Sequence, residues 1–344
     1  MNKRPLAMRE FEKYFSFESI LDDLIRRRVK GQDVGELLPA RKAWSRLDVR
    51  SRQKLAPVAA RRLSIRRTVM RCLRDGSIAE HAWGRLLLEF VKNIRASVLT
   101  GTVAFETPRM IDIVKGNVDG KRVYRTVASF DRLADRVVLN CVTAYVRDVL
   151  EGVLGENCYS FRKDSKMNHQ SAVIKLQEWR RDHAHGKMFV AECDIKKFFD
   201  NISHSVVRKC WSKIGFAAEA NSVLEAYLSV YSSSSQERRG LPQGGSFSTV
   251  LANMVMCAAD DAVGRMGDGN LFYARFCDDV IFAHSDEAVC SEVMARYQKE
   301  LVDLDLPIHP VEDFMYKPAG GESTDYYGIK SKGPFLWAEP KVGE

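Results

Sequence analysis

The sequence predicts an α+β fold: a basic helical N-terminal region, then helices mixed with the short strands of an antiparallel sheet. Three observations predict it. Apolar residues recur at helical spacing through the first hundred positions. From about residue 105 the texture changes to β-branched and aromatic runs punctuated by glycine and asparagine. Strands and helices then alternate without the cadence of a doubly wound parallel sheet.

Taken in order, ESILDDLIRRRVKG sets Ile20, Leu21, Leu24, Ile25 and Val29 at helical spacing, with Gly31 placed to cap the C-terminus. APVAARRLSIRRTVMRCLRDG repeats the pattern and aligns Arg61, Arg62, Arg66, Arg67, Arg71 and Arg74 along one side, a ridge suited to phosphates. HAWGRLLLEFVKNIRASVL is a third, more apolar helix. MIDIVKGNVDGKRVYRTVAS reads as a β-hairpin carrying Lys115, Lys121, Arg122 and Arg125. Helices follow near 130–153 and 168–183, then a strand ending in Asp194. Further helices are expected near 204–214, N-capped by Ser203, and near 218–231. The loop SSSSQERRGLPQGGSFS leads to a small-residue helix begun by Ser248 and Thr249. A hairpin around FCDDVIF, a helix over 287–304 and two short strand-like pieces complete the series.

At 344 residues the chain has ample length for a real core, and its 45% apolar and 28% charged composition is that of a globular protein. No apolar run approaches the ~20 residues that cross a bilayer, and the N-terminus lacks a signal-peptide stretch. The eight cysteines occur singly, mostly among apolar neighbours, so reduced thiols in a cytoplasmic protein are expected. Charge is uneven. Residues 1–100 hold 23 Lys and Arg against 11 Asp and Glu, whereas the remainder is slightly acidic, with 30 against 34. A basic arm on an acidic body suggests that one part grips a polyanion while the other binds something cationic. A solvated arginine-rich surface is the plainer alternative.

Three constellations carry chemistry. In FVAECDIKKFFDNISHS, Asp194 stands at the end of a strand, as a metal ligand or as the cap of the next turn. In FYARFCDDVIFAH, Asp278 and Asp279 occupy the tight turn between two strands. Two carboxylates in so apolar a run are costly unless something positive sits on them, or the turn lifts them into water. If Asp194 converges on them, divalent cations relieve the repulsion, and two Mg²⁺ about 3.5–4 Å apart form the usual clamp for in-line phosphoryl or nucleotidyl transfer. The third is RRGLPQGGSFSTVLANMVM. Its Gly240, Gly244 and Gly245 permit close backbone approach to a ligand, Gln243 offers an amide, and Arg238 and Arg239 precede them. A flexible surface loop is the bland reading of that stretch.

In type, order and spacing, DIKKFFD, GLPQGGSFSTVLAN and FCDD resemble palm motifs A, B and C of reverse transcriptases, especially bacterial ones of the group II intron and retron kind. YSFRKDSKMNHQSAV and KRVYRTVASFDRLADRVV resemble flanking motifs, so the likeness covers roughly 105–335. The resemblance implies a right-hand polymerase: a basic helical region over 1–104, fingers with part of the palm over 105–187, palm over 188–335, and a short tail over 336–344. It implies RNA-directed DNA synthesis with two Mg²⁺ (Mn²⁺ substituting), dNTPs, an RNA template and a DNA product. Asp194, Asp278 and Asp279 match the metal-binding aspartates, and the carbonyl of Ile195 would also face a metal. Phe199 matches the aromatic gate against ribose 2′-hydroxyls, and Gln243 the motif B glutamine beside the nucleotide. Arg125 and Lys121 would meet the triphosphate. Arg162 would pack or grip near the template, together with Arg61, Arg62, Arg66, Arg67, Arg238 and Arg239 on nucleic acid, while Asn253 would hold the palm itself.

The chain departs from the family pattern in four places. Phe276 replaces a common tyrosine, and Ser248-Thr249 a common Ser-Pro. Glu312 or Asp313 stands where a lysine general acid is usual, leaving His309 and Lys317 as local alternatives. Few residues follow the motif E-like DYYGIKSKG, so a C-terminal thumb is expected to be absent or minimal. This compact form with a helical extension most resembles the "unknown group" enzymes. Many of those are antiphage defence proteins working with a dedicated non-coding RNA. A homo-oligomer or an accessory protein, as in the diversity-generating enzymes, and a catalytically silent RNA-binding relative are the other expectations.

Overall fold

Helix α1 (Phe17–Val29) shows why the first hundred residues are helical. Ser16 accepts a hydrogen bond from the Ser19 amide at its start, and Arg26, Arg27 and Arg28 meet the negative end of the dipole. Gly31, at φ +78°, ends it in a Schellman motif, with Gln32 N–H on the Arg27 carbonyl (3.0 Å) and Gly31 N–H on that of Arg28 (3.1 Å). The structure, a computed structural model, describes residues 11–39, 57–118, 120–164, 166–183, 188–193, 195–234, 236–266, 269–308 and 326–329.

The remaining elements follow in chain order. They are α2 (Pro57–Arg74), a 3₁₀ turn (Ser77–Glu80), α3 (Ala82–Leu99), β1 (Arg109–Val118), β2 (Lys121–Ser129), α4 (Leu133–Leu150) and α5 (His169–His183). Next come β3 (Met188–Cys193), the one-turn α6 (Phe198–Asn201), α7 (His204–Ile214), α8 (Ala218–Ser229) and α9 (Ser246–Gly264). The hairpin β4 (Phe272–Phe276) and β5 (Asp279–His284), α10 (Glu287–Asp303) and β6 (Tyr326–Ile329) close the series. The chain divides into two units, Met1–Tyr145 with Phe216–Val230, and Val146–Gly215 with Tyr231–Glu344. Among the described residues no helix is long and apolar enough to cross a membrane.

In the first unit, α1 buries Ile20, Leu21, Leu24 and Ile25 together with one ion pair. Asp23 accepts from Arg27 Nε (2.7 Å) and from Asn140 of α4 (2.9 Å), and Arg27 also reaches the Arg136 carbonyl (2.9 Å). These bonds satisfy charges that would otherwise be expensive inside. Phe105, Phe130 and Tyr227 of α8 form an aromatic cluster with centroids 5.9–6.3 Å apart. Gly84 lets α3 lie directly on the 3₁₀ turn, where a Cβ would stand 1.9 Å from the Ile78 carbonyl oxygen. β1 and β2 make a separate two-stranded antiparallel sheet, irregular between Val114 and Gly116, with Met110, Val114 and Tyr124 exposed.

The second unit is built on a four-stranded sheet of order β4-β5-β3-β6. β4, β5 and β3 pair antiparallel as expected, whereas β6 lies parallel to β3, so the sheet is mixed rather than purely antiparallel. The long excursion through α10 before β6 makes that parallel return possible. Both faces are covered. Ala172, Leu176 and Trp179 of α5 pack with Val190, Phe272, Ala274, Ile281 and Ala283. Opposite, Tyr273 stacks on Phe282 (5.0 Å), and Phe282 meets Tyr297 of α10 (5.3 Å). FYARF is therefore buried on both faces despite its arginine.

That arginine is fully buried. Arg275 Nε and Nη2 donate to the two oxygens of Asp260 on α9, at 2.7 and 2.6 Å. Nη1 donates to Asn253 (3.1 Å) and to the carbonyl of Cys277 (2.8 Å). The hydroxyl of Tyr273 adds a short bond to Asp260. Burial alone would depress the guanidinium pKa, but the Asp260 charge outweighs it and holds the group well above its ordinary range. The Arg275 backbone is used as well, exchanging bonds of 2.8 Å with the Asn157 carbonyl and the Tyr159 amide. Arg275→Met, which strands Asp260, is expected to cost about 3–5 kcal/mol in urea unfolding, and the Arg275→Met/Asp260→Leu double substitution markedly less. A single-substitution cost below about 1 kcal/mol would contradict this account.

Candidate active site

The turn between β4 and β5 is two residues long and carries Asp278, while Asp279 opens β5. Phe276 pairs with Asp279, leaving Cys277 and Asp278 between the strands. Cys277 has φ +63°, the positive value that primed hairpin turns require at their first central residue. Its thiol is buried and pushed well up in pKa, by burial first and then by the Asp278 carboxylate beside it. Its carbonyl is the one that Arg275 holds. Both aspartates are half-buried. Phe276 presents its ring to Phe161 (6.0 Å) and, edge-on, to His169 (5.6 Å). The missing tyrosine hydroxyl thus leaves the aromatic packing in place.

β3 runs beside this hairpin, with Cys193 opposite Val280. Asp194 lies outside the described residues, and so do His309, Glu312, Asp313 and Lys317. Ile195 is buried and bridges to Ile308, with Lys196 N–H on the Pro307 carbonyl at 2.9 Å. Lys197, at φ +47°, turns the chain into α6, whose Phe199 is half-buried with its ring 5.3 Å from that of Phe198. Among the described residues no three His, Cys, Asp or Glu side chains gather as metal ligands.

The GLPQGG loop is tied to the segment after β3. Leu241 N–H donates to the Phe199 carbonyl and Gly240 N–H to that of Ile202, both at 2.8 Å. Ser248 closes the loop from behind, its hydroxyl donating to the Pro242 carbonyl. Gly244 takes φ +97°, a value glycine adopts freely. Gly240 serves the fold rather than a ligand. At φ +96° it packs on Ser233, whose hydroxyl would stand 2.6 Å from a Cβ there. Gln243 is half-exposed at the loop's tip. The helix begins at Ser246, two residues before the expected Ser248, and Ser203 takes the N-cap position of α7 without a side-chain cap bond.

The basic residues separate into two groups. Arg61, Arg62, Arg66 and Arg67 lie exposed along α2 with Arg71 and Arg74, and Arg66 pairs with Asp22 at the surface. Arg66, Arg67 and Arg74 line a cavity of about 300 Å³ together with Leu63 and Met70. Arg125 is exposed on β2, where the side chain of Lys121 lies outside the described residues. Arg238 is exposed as well. Arg239 is instead engaged by Asp305 (2.7 Å) and Glu237 (2.5 Å).

Of the two expectations for Arg162, packing or a grip near the template, the structure shows the packing. The side chain is nearly buried, paired with Glu151 (2.9 Å) and bonded to the Gly155 and Cys158 carbonyls (2.7 and 3.2 Å), so its donors are spent on the fold. Asn253 does hold the fold, clasping Ser160 through both amide atoms (2.7 and 2.8 Å). Arg275 and Asp260 escaped sequence reasoning. Their signal is an arginine inside an otherwise apolar strand and an acidic residue in a small-residue helix.

A curated Saccharomyces cerevisiae protein, described as a putative COX1/OXI3 intron 1 protein, is 28% identical over 167 residues, 47% of this chain and 19% of its own length. The chain therefore spans about a fifth of that relative. Among solved structures, telomerase from Candida albicans, in complex with the TWJ fragment of telomeric RNA, aligns with a TM-score of 0.44. Its identity is 12%, over 61% of this chain and 43% of that one. Apo telomerase from Candida tropicalis aligns at 0.42 with 11% identity, over 65% and 48%. The profile of the family described as reverse transcriptase (RNA-dependent DNA polymerase) matches residues 113–311, more than half of the chain. The chain belongs to the reverse transcriptase family.

Proposed function

We propose that this chain is an RNA-directed DNA polymerase that adds dNTPs to a primer on an RNA template. The observation that carries the reading is the aspartate turn. Asp278 in the turn and Asp279 at the start of β5 are consecutive, and the turn's backbone is pinned by a buried ion pair. The same unit ties the Phe199 turn to the GLPQGG loop. Family membership adds to this, and 105–187 and 188–335 are accordingly assigned as fingers and palm.

Carboxylate oxygens are the hard donors that Mg²⁺ takes, so Asp278 and Asp279 fit that ion, and Asp194 with the Ile195 carbonyl is assigned to complete the set. When bound, two such ions supply an activated primer hydroxyl and neutralise charge on the phosphates. The protein's own part is positioning. Arg275 fixes the turn, the carbonyl of Phe199 anchors Leu241, and Gln243 is left to meet the nucleotide. The Phe199 ring is assigned to exclude a 2′-hydroxyl, and Arg125, with Lys121, to receive the triphosphate. The exposed α2 ridge supports RNA as the polyanion gripped. A dedicated non-coding RNA and an antiphage role are finer parts of the proposal that rest on the motif resemblance, and a cytoplasmic setting is one that rests on the singly occurring cysteines.

In Mg²⁺-dependent primer extension, Asp278→Ala/Asp279→Ala is expected to lose at least about 10²–10³-fold in rate. Wild type that makes no DNA on any RNA, including co-purified RNA, would refute the enzyme reading. Phe199→Ala should raise ribonucleotide incorporation roughly tenfold or more in competition assays, the scale on which a pocket rejects an added group. Arg66→Ala/Arg67→Ala should weaken RNA binding without regard to sequence and lower the log–log salt slope by about 1–2, read by filter binding across salt.

A further inference from the structure

His204 is buried at the first position of α7, and two of its groups meet the segment before the GLPQGG loop. Its amide donates to the Arg238 carbonyl (3.0 Å), and its imidazole Nε2 donates to the buried Gly240 carbonyl (2.9 Å). These bonds straddle Arg239, which itself bridges to Ser203. With the Gly240–Ile202 and Leu241–Phe199 bonds, residues 238–241 are zipped onto residues 199–204. Gly240 is confined from the other side by Ser233. The imidazole is thus a side-chain latch on a backbone ladder, holding a carbonyl three residues before Gln243.

We propose that His204 is a positioning residue for nucleotide selection. By holding the Gly240 carbonyl it sets where the Gln243 loop stands relative to the Phe199 turn. The inference rests on the polymerase reading for its kinetic consequence, but the latch itself is a property of the folded chain. Replacing the imidazole by an apolar group of similar size leaves a buried carbonyl without its donor, and the loop relaxes to rehydrate it. A glutamine at 204 keeps an amide donor at the reach of Nε2.

The test compares wild type, His204→Leu and His204→Gln. In hydrogen exchange on the full chain without ligands, His204→Leu should speed exchange of the Gly240 and Leu241 amides about tenfold while α9 amides stay as in wild type. His204→Gln should restore protection. In primer extension normalised to active enzyme, His204→Leu should raise the KM for dNTPs about tenfold and lower dNTP-over-rNTP discrimination, with a smaller change in kcat and recovery in His204→Gln. Unchanged exchange at Gly240 and Leu241 in His204→Leu would overturn the latch whatever the activity. Faster exchange with unchanged KM and discrimination would overturn the selection role. Wild type inactive on every RNA would refute the polymerase reading and the selection role with it, leaving the latch to be judged by exchange alone.

Discussion

The ion pair between Arg275 and Asp260 is the constraint on which the second unit turns. A fully buried guanidinium is tolerable only if every donor finds a partner, and here Asp260, Asn253, the Cys277 carbonyl and the Cys158 sulfur receive them. Those partners come from α9, from the aspartate turn itself and from the segment after α4. Helix, strand and turn are therefore not independently placed, because moving any one of them exposes a charge to an apolar interior. An apolar core would give comparable stability, but it would tolerate a sliding register, whereas directional bonds do not. The polar network locates the carboxylates rather than merely supporting them.

A second level of organisation sits on this frame. The GLPQGG loop has no regular secondary structure of its own, yet its backbone is spoken for by Phe199, Ile202, His204 and Ser248. What the loop leaves uncommitted is Gln243, half-exposed at its tip. A pinned backbone around one uncommitted side chain would leave little ordering entropy to be lost if Gln243 meets the nucleotide as proposed.

Much of this was legible from residue order. Amphipathic spacing located α1, α2, α3 and α7, because apolar stripes report one-sided burial directly. The aspartate hairpin was legible because two aromatic strands leave only a turn between them. What escaped depends on partners far apart in sequence. Arg275 finds Asp260 on a different element, and no periodicity encodes that meeting. For Arg162 the motif resemblance left packing or a template grip open, and only the meeting with Glu151 shows the packing. Gly240 read as a ligand-approach glycine and is instead a packing glycine against Ser233. The parallel pairing of β6 was hidden for a related reason: strand direction is set by the path between strands, not by the strand.

Cys277 holds a left-handed backbone that residues other than glycine adopt only at a cost of order 1 kcal/mol or more. Arg275, bonded to its carbonyl, prevents the turn from relaxing. The apex behaves as a preloaded spring clamped at its base. Gathering two like charges on such a turn is electrostatic work done once, while the chain folds. In the polymerase reading proposed above, that work would not be repeated in each catalytic cycle, leaving little reorganisation for the chemistry to wait on.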